Sequence, residues 1–323
     1  MTTSAIPFSA AETHHSKSVQ RFAWAVLVYN VAVILWGSIV RATGSGAGCG
    51  EHWPLCNGTV VQHHPAIATL IEFTHRSMSG IALIAILGLV FWTFRATARR
   101  HLARTAVVVS LILTLNEAIL GALLVLLGKV AHDQSVSRAV YLALHFTNTL
   151  LMLAALTLTA HFLSRRRGFM HGSVEWRSPA IATAGLVATL VVGVLGSLAA
   201  LGDTLYPATS LRDALMQDFS THGSWLIRLR WVHPAMSLVA GAFLLWIVFV
   251  GLRIATNRIL AFSVAGCLLF QYTLGVTDVL LLARIWIQVL HLLGADILWI
   301  TVIVLSARLC IRPIGCTEGI CCV

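Results

Sequence analysis

From about residue 20 to residue 308 the chain alternates long apolar stretches with short polar ones. Eight apolar stretches stand out, at roughly 20–40, 69–94, 104–127, 139–163, 180–201, 229–252, 259–282 and 285–307. Each is close to the ~20 residues that a helix needs to cross the hydrocarbon core of a bilayer. Backbone polar groups in lipid must be satisfied within the segment itself, so stretches of this length predict transmembrane helices. The first is preceded by about twenty polar residues and lacks the small-residue cleavage site of a signal peptide, so it reads as a retained helix. The fold class expected is all-α and integral to the membrane.

Composition agrees: 58% of residues are hydrophobic and 11% charged, a balance that leaves too little polar surface for a water-soluble fold. The net charge of +10 does not indicate a nucleic-acid binder, because the basic residues sit between spans rather than on one face or tail. Fourteen of the 22, among them Lys17, Arg95, Arg104, the Arg165–Arg167 run, Arg177, Arg253, Arg258, Arg308 and Arg312, fall on one side of the membrane. That bias predicts a cytoplasmic-membrane protein with both termini in the cytoplasm. The sequence GCGEHWPLC then lies on the opposite side, where disulfides persist, and Cys49 and Cys56 are expected to be bridged. Cys267, Cys310, Cys316, Cys321 and Cys322 are expected to stay reduced.

The spans repeat. THRSMSG, with His75, and VHPAMSL, with His233, share H-x-x-M-S; LGALLVLL from Leu120 pairs with LGVTDVLL from Leu274, and GSI at Gly37 with GSL at Gly196. His145 then falls opposite His291. The expectation is two four-helix bundles related by a pseudo-two-fold axis along the membrane normal: residues 20–163, with a disulfide loop at 42–68, and residues 180–308. A tail at 1–19, a linker at 164–179 and a tail at 309–323 would be cytoplasmic.

Each even-numbered span carries one histidine, four to six residues past its outer end, so His75, His145, His233 and His291 form a layer at one depth. A lone intramembrane histidine most often bonds a neighbouring helix, but four in repeat-related pairs point to ligands. A zinc or copper site would draw three or four onto one ion. The repeat separates these into two pairs, and two bundle helices offering one imidazole each suit the axial positions of a haem iron. Gly80, Gly121, Gly241 and Gly275 would admit a flat macrocycle; Arg41, Arg76, Arg228 and Arg230 would neutralise its propionates. His52, His63 and His64 fall in loops, and His161 reads as interfacial.

The halves differ at one position. Glu72 lies one turn outward from His75, and its counterpart is Arg230. An acid in a span is costly unless paired or used, so Glu72 either bridges to Arg76 or handles protons beside a reacting molecule. Glu117, whose counterpart is Gln271, reads as interhelical hydrogen bonding.

RATGSGAGCGEHWPLCNG, followed by EFTHR, by single histidines in the fourth, sixth and eighth spans and by LHLLGADILWI, resembles the haem A synthase family over essentially residues 20–308. That resemblance implies oxidation of the C8 methyl group of haem O to the formyl group of haem A. It makes His75 and His145 the substrate-haem ligands, His233 and His291 the ligands of a haem b that passes electrons, and Glu72 the catalytic acid. It also implies as partners a haem O-producing membrane enzyme, an electron donor and the terminal oxidase assembly machinery. The sequence departs from the family in having no cysteine at 203–228, where some members carry a second pair, and in having Glu117 where many have Gln. A two-haem electron carrier and a haem transporter or chaperone are the alternative readings; the difference between Glu72 and Arg230 favours the enzyme.

Overall fold

The computed structural model describes residues 10–59, 65–131, 133–164, 174–176, 180–220 and 223–313. His63, His64, Arg165–Arg167, Arg177 and the tail cysteines Cys316, Cys321 and Cys322 lie outside them. Nine α-helices are described: α1 (Ala10–Ala42), α2 (Ile67–Ala96), α3 (Leu102–Leu126), α4 (Val136–Leu163), α5 (Ala180–Leu205), α6 (Leu211–Asp218), α7 (Trp225–Leu252), α8 (Arg258–Leu280) and α9 (Ile285–Cys310). All but α6 contain a segment long and apolar enough to cross a membrane. A short antiparallel pair, β1 (Val174–Trp176) with β2 (Ile311–Pro313), ties the stretch before α5 to the end of α9.

Helices α1 to α4 pack in a closed ring, each against its neighbours, and α5, α7, α8 and α9 close a second ring. The rings meet where α1 and α4 face α5 and α9. At that seam the indole Nε1 of the buried Trp299 on α9 donates to the Leu150 carbonyl of α4 at 2.8 Å, and Trp299 and Ile303 join an apolar core built mainly from α1 to α4. Away from the seam the pattern inverts that of a soluble protein: Ile84, Leu238, Ile259 and Leu269 point outward and are mostly exposed, as lipid-facing residues would be.

The spans agree with the sequence expectation within a few residues, except that several helices start earlier. Helix α6 was not anticipated. Ser210 caps it, accepting from the Asp213 N–H at 3.1 Å, while Asp213 accepts from the Thr209 N–H at 2.8 Å. This resembles the Ser-x-x-acid capping box, except that Asp213 reaches the N–H of Thr209 and not that of the cap residue Ser210; it is legible as Ser-Leu-Arg-Asp but hidden inside what reads as one polar loop.

Candidate functional site

The four span histidines lie eight, nine, eight and six residues past the first residues of α2, α4, α7 and α9. At ~1.5 Å per residue that is about 9–14 Å in, deeper than the sequence suggested because α2, α4 and α7 begin earlier. Every one of them is backed by a glycine on the preceding span. A β-carbon at Gly37 of α1 would come within 2.9 Å of His75 Cε1; at Gly196 of α5, within 2.8 Å of His233 Cε1; at Gly275 of α8, within 3.2 Å of His291 Cε1; at Gly121 of α3, within 3.6 Å of His145 Cε1. The four pairs therefore share one local construction, in which the Cε1 corner of each imidazole lies against the bare backbone of a glycine. Gly121 and Gly275 were among the glycines chosen from sequence. Gly241 instead packs against the Tyr272 hydroxyl, and Gly80 is exposed.

In the second ring, His233 and His291 sit on diagonally opposed helices with ring centroids 6.4 Å apart and planes perpendicular. Two metal–imidazole bonds of about 2 Å each, plus half a ring on either side, come to about the same separation. His233 Nδ1 lies 3.1 Å from the Val192 carbonyl. A carbonyl only accepts, so Nδ1 carries the proton and the Nε2 lone pair is left for a metal. His291 Nδ1 is buried without a hydrogen-bond partner among the described residues, and the Gln271 side-chain amide lies 3.3 Å from its Nε2. In the first ring, His75 and His145 lie within electrostatic range of each other; His75 Nδ1 and His145 Nδ1 are likewise buried without such a partner, the latter 3.4 Å from Glu117 Oε1. Among the described residues no three His, Cys, Asp or Glu side chains converge on one point. The donor set is two pairs of imidazoles, three of them with a buried Nδ1 that has no hydrogen-bond partner among the described residues, which fits a haem in each ring.

The ends of the rings differ. Cys49 and Cys56 are bridged, and both are buried. Glu72, only 3% exposed, pins their loop: its Oε2 accepts from the Cys49 N–H at 2.8 Å, and its Oε1 accepts from Arg76 Nε at 3.1 Å and pairs with Arg76 Nη2. Arg76 Nη1 in turn donates to the carbonyls of His52 at 2.6 Å and Leu55 at 2.9 Å. Thr69 adds a bond to the Gly48 carbonyl at 2.7 Å. Gly48 lies so close to α2 that an added β-carbon would fall 2.5 Å from the Ala68 backbone. The loop is thus fastened at both ends of its bridge to the first turns of the helix that carries His75.

The second ring has no bridge in the corresponding loop. Arg230 takes its place: Nε pairs with Asp203 at 2.7 Å, Nη1 with Asp218 at 3.6 Å and with Gln217 at 3.1 Å, and Nη2 donates to the carbonyls of Gly202 at 3.2 Å and Tyr206 at 2.5 Å. Burial pushes the Asp218 carboxyl up from its ordinary value against the pull of Arg230. Arg41, at the end of α1, reaches across the seam to the Ala200 carbonyl at 2.6 Å, Thr204 at 2.8 Å and Gln288 at 2.8 Å. Arg41, Arg76 and Arg230 therefore all have protein partners; Arg228 is exposed. His161, in the last turn of α4, is covered by protein, 4% exposed.

Sequence reasoning passed over Gly37 and Gly196 as packing partners, although the GSI and GSL repeat marks both. It also passed over Asp203, Gln217 and Asp218, scattered polar residues that acquire a common role only once Arg230 is placed among them.

The profile of the COX15-CtaA family, described as cytochrome oxidase assembly protein, matches residues 20–303. A Thermus thermophilus protein named protoheme IX farnesyltransferase is 41% identical over 296 residues, 88% of this chain and 47% of that protein. Proteins named heme A synthase are also similar. That of Alkalihalophilus pseudofirmus is 39% identical over 126 residues, 39% of this chain and 40% of the relative. That of Geobacillus kaustophilus is 35% identical over 142 residues, 44% and 42% of the two chains. The chain spans about half the length of the curated relatives it matches.

Proposed function

The chain belongs to the COX15-CtaA family of cytochrome oxidase assembly proteins, and from that premise we propose that it is a haem A synthase, a membrane oxidoreductase that converts the C8 methyl group of haem O to a formyl group for use in terminal oxidases. The observation that carries this reading is the combination of two glycine-backed imidazole pairs with a disulfide loop clamped by Glu72 and Arg76 over only one of them. A carrier of two equivalent haems needs no such difference. The relatives named heme A synthase support the same reading. The name farnesyltransferase belongs to a relative more than half of which this chain does not cover; it fits a partner enzyme that makes the farnesylated substrate.

On this reading residues 20–163 and 180–308 are two four-helix units. His75 and His145 hold the substrate haem O, and His233 and His291 hold a resident haem b, which supplies one-electron chemistry when bound. Relative to the methyl group the formyl carbon has lost two C–H bonds and four electrons and gained a C=O bond, so the reaction releases protons and also needs an external redox partner, with one-electron transfers passing through the ring of His233 and His291. Glu72, one turn from His75 toward the loop, is the group placed to take up or orient a proton there. Its hydrogen bond from Cys49 ties proton handling to the position of the loop, which excludes bulk water from the reacting edge. Arg41, in the last turn of α1, and Arg76, Arg228 and Arg230, in the early turns of α2 and α7, lie on the side of the bridged loop, where propionates would be neutralised. The protein sits in the cytoplasmic membrane with both termini inside and the bridged loop outside.

The test is Glu72→Gln in cells that also make haem O. The variant keeps side-chain volume and one acceptor for the Cys49 N–H but cannot take up a proton. Haem A should fall by about 10²–10⁴-fold, the usual range for a positioned acid or base, while haem O or its alcohol accumulates on the protein. Near-normal haem A yield would show the acid to be structural and remove it from the mechanism.

A further inference from the structure

We infer that Glu117 is the positioning residue that fixes the proton and the donor strength of His145, and that it makes the iron site of the first ring electronically unlike that of the second. The inference rests on the haem A synthase reading above and concerns the same site. Three observations carry it.

Glu117 Oε1 lies 3.4 Å from His145 Nδ1. The carboxylate is itself held from α4: Asn148 Nδ2 donates to Oε2 at 2.5 Å and Thr149 Oγ1 donates to Oε1, while Asn116 Nδ2 donates to Asn148 Oδ1 at 2.8 Å and fixes the direction of that amide. At 3.4 Å the approach makes an ion-pair distance and not a hydrogen bond, His145 Nδ1 being buried without a hydrogen-bond partner among the described residues; the carboxylate therefore acts on the imidazole through its charge, which favours the tautomer with the proton on the facing Nδ1. A histidine ligand backed by a carboxylate is more basic and more rigidly oriented than one left alone, and loss of the backing group typically costs about 10–100-fold in metal affinity or activity.

Nothing of this network survives in the second ring. With the repeat offsets of 154 for α3 onto α8 and 146 for α4 onto α9, Asn116 becomes Phe270, Glu117 becomes Gln271, Asn148 becomes Gly294 and Thr149 becomes Ala295. Gln271 is neutral, and its amide donates to the His291 carbonyl at 3.1 Å, so the group beside His291 carries no negative charge. A carboxylate was therefore placed, and oriented by three further side chains, beside one axial ligand only. Negative charge passed through His145 favours ferric over ferrous iron, so the first site is tuned to hold the more oxidised haem and to donate more strongly to it.

The test uses the full chain purified from membranes of cells that make haem O, with the first-ring haem identified as the signal that His75→Ala removes. Redox titration and electron paramagnetic resonance are then compared between wild type and Glu117→Gln. The expected result is a shift of about tenfold in the first haem's ferric-to-ferrous equilibrium toward ferrous, ~59 mV for one electron, with altered g-values at that site and the second haem unmoved. Glu117→Asp should recover part of the shift, and Gln271→Glu should move the second haem the opposite way. If Glu117→Gln does not accumulate, Thr149→Val carries the test: it removes one donor to the carboxylate, and the first haem should move toward ferric. A His75-dependent haem whose potential and g-values are the same in wild type and in the variant that accumulates overturns this inference and leaves the proposed function standing. Absence of any His75-dependent haem in wild type overturns both.

Discussion

Replacing Gly37 or Gly196 with alanine adds one methyl group against an imidazole ring, at 2.9 Å and 2.8 Å from the nearest ring atom respectively. The ring has to move, because the added carbon is fixed to helix backbone, and overpacking of this kind costs about 1–3 kcal/mol. Gly37→Ala is expected to lower haem retention in the first ring and leave the second intact, and Gly196→Ala the reverse. Pigment extracted per mole of purified protein, resolved by haem type, checks both. The histidines were legible as a layer because four identical residues recur at matched offsets in otherwise apolar spans. Their glycine backing was less so, since a glycine in a membrane helix has many uses and only the partner across the interface shows which one applies. For Glu72 the sequence left two readings open, a bridge to Arg76 or a proton-handling acid. The structure contains the bridge and adds the Cys49 N–H, a contact across 23 residues that no local pattern announces.

At the level of elements, the two loops over the rings are fastened by different chemistry. Residues 43–59 are held by the Cys49–Cys56 bridge and by Arg76; the segment around α6 is held by Arg230 and the Ser210–Asp213 pair. Cross-linking a loop this short is worth about 2–3 kcal/mol by the chain-entropy relation. Cys49→Ser with Cys56→Ser is therefore expected to make the loop sensitive to protease and lower the thermal midpoint, an effect that reductant should reproduce in wild type and not add to in the double variant. For α6, the Thr209 N–H holds the Asp213 carboxyl below its ordinary value near 3.8. A carboxyl with a depressed value stabilises the fold above its unfolded value and loses that contribution as pH falls through the folded one. The first turn of α6 should thus hold at neutral pH and loosen only below about pH 4. Asp218 at the far end runs the other way, since burial raises it and protonation there relieves a cost. A nitroxide on Leu211→Cys should gain mobility at lower acidity than one on Leu215→Cys; equal mobility at every pH would remove the Ser210–Asp213 pair as the controlling feature. Span length and apolarity made the eight long helices readable, whereas α6 depended on a four-residue cap within polar surroundings.

At the scale of the molecule, two helical rings share a seam along α1, α4, α5 and α9. Arg41 crosses it at one end and Trp299 crosses it within the core. Trp299→Phe keeps the ring in place and deletes only the bond to Leu150, so a loss of about 0.5–1.5 kcal/mol in thermal or denaturant unfolding is expected with both haem sites retained. The seam was the least readable level of the sequence, because hydropathy sets which segments cross a membrane and not which of their faces meet. The central claim is that each ring holds its own haem through its own histidine pair, substrate in one and resident haem in the other. It is tested most directly by chromatography and mass measurement of the haems extracted from the purified full chain, expressed with a source of haem O, in wild type, His75→Ala and His233→Ala. The account predicts haem b together with haem O or haem A in wild type, selective loss of the haem O and haem A fraction in His75→Ala, and selective loss of haem b in His233→Ala. Haem b alone in wild type, or the same ratio of haems in all three proteins, would contradict it.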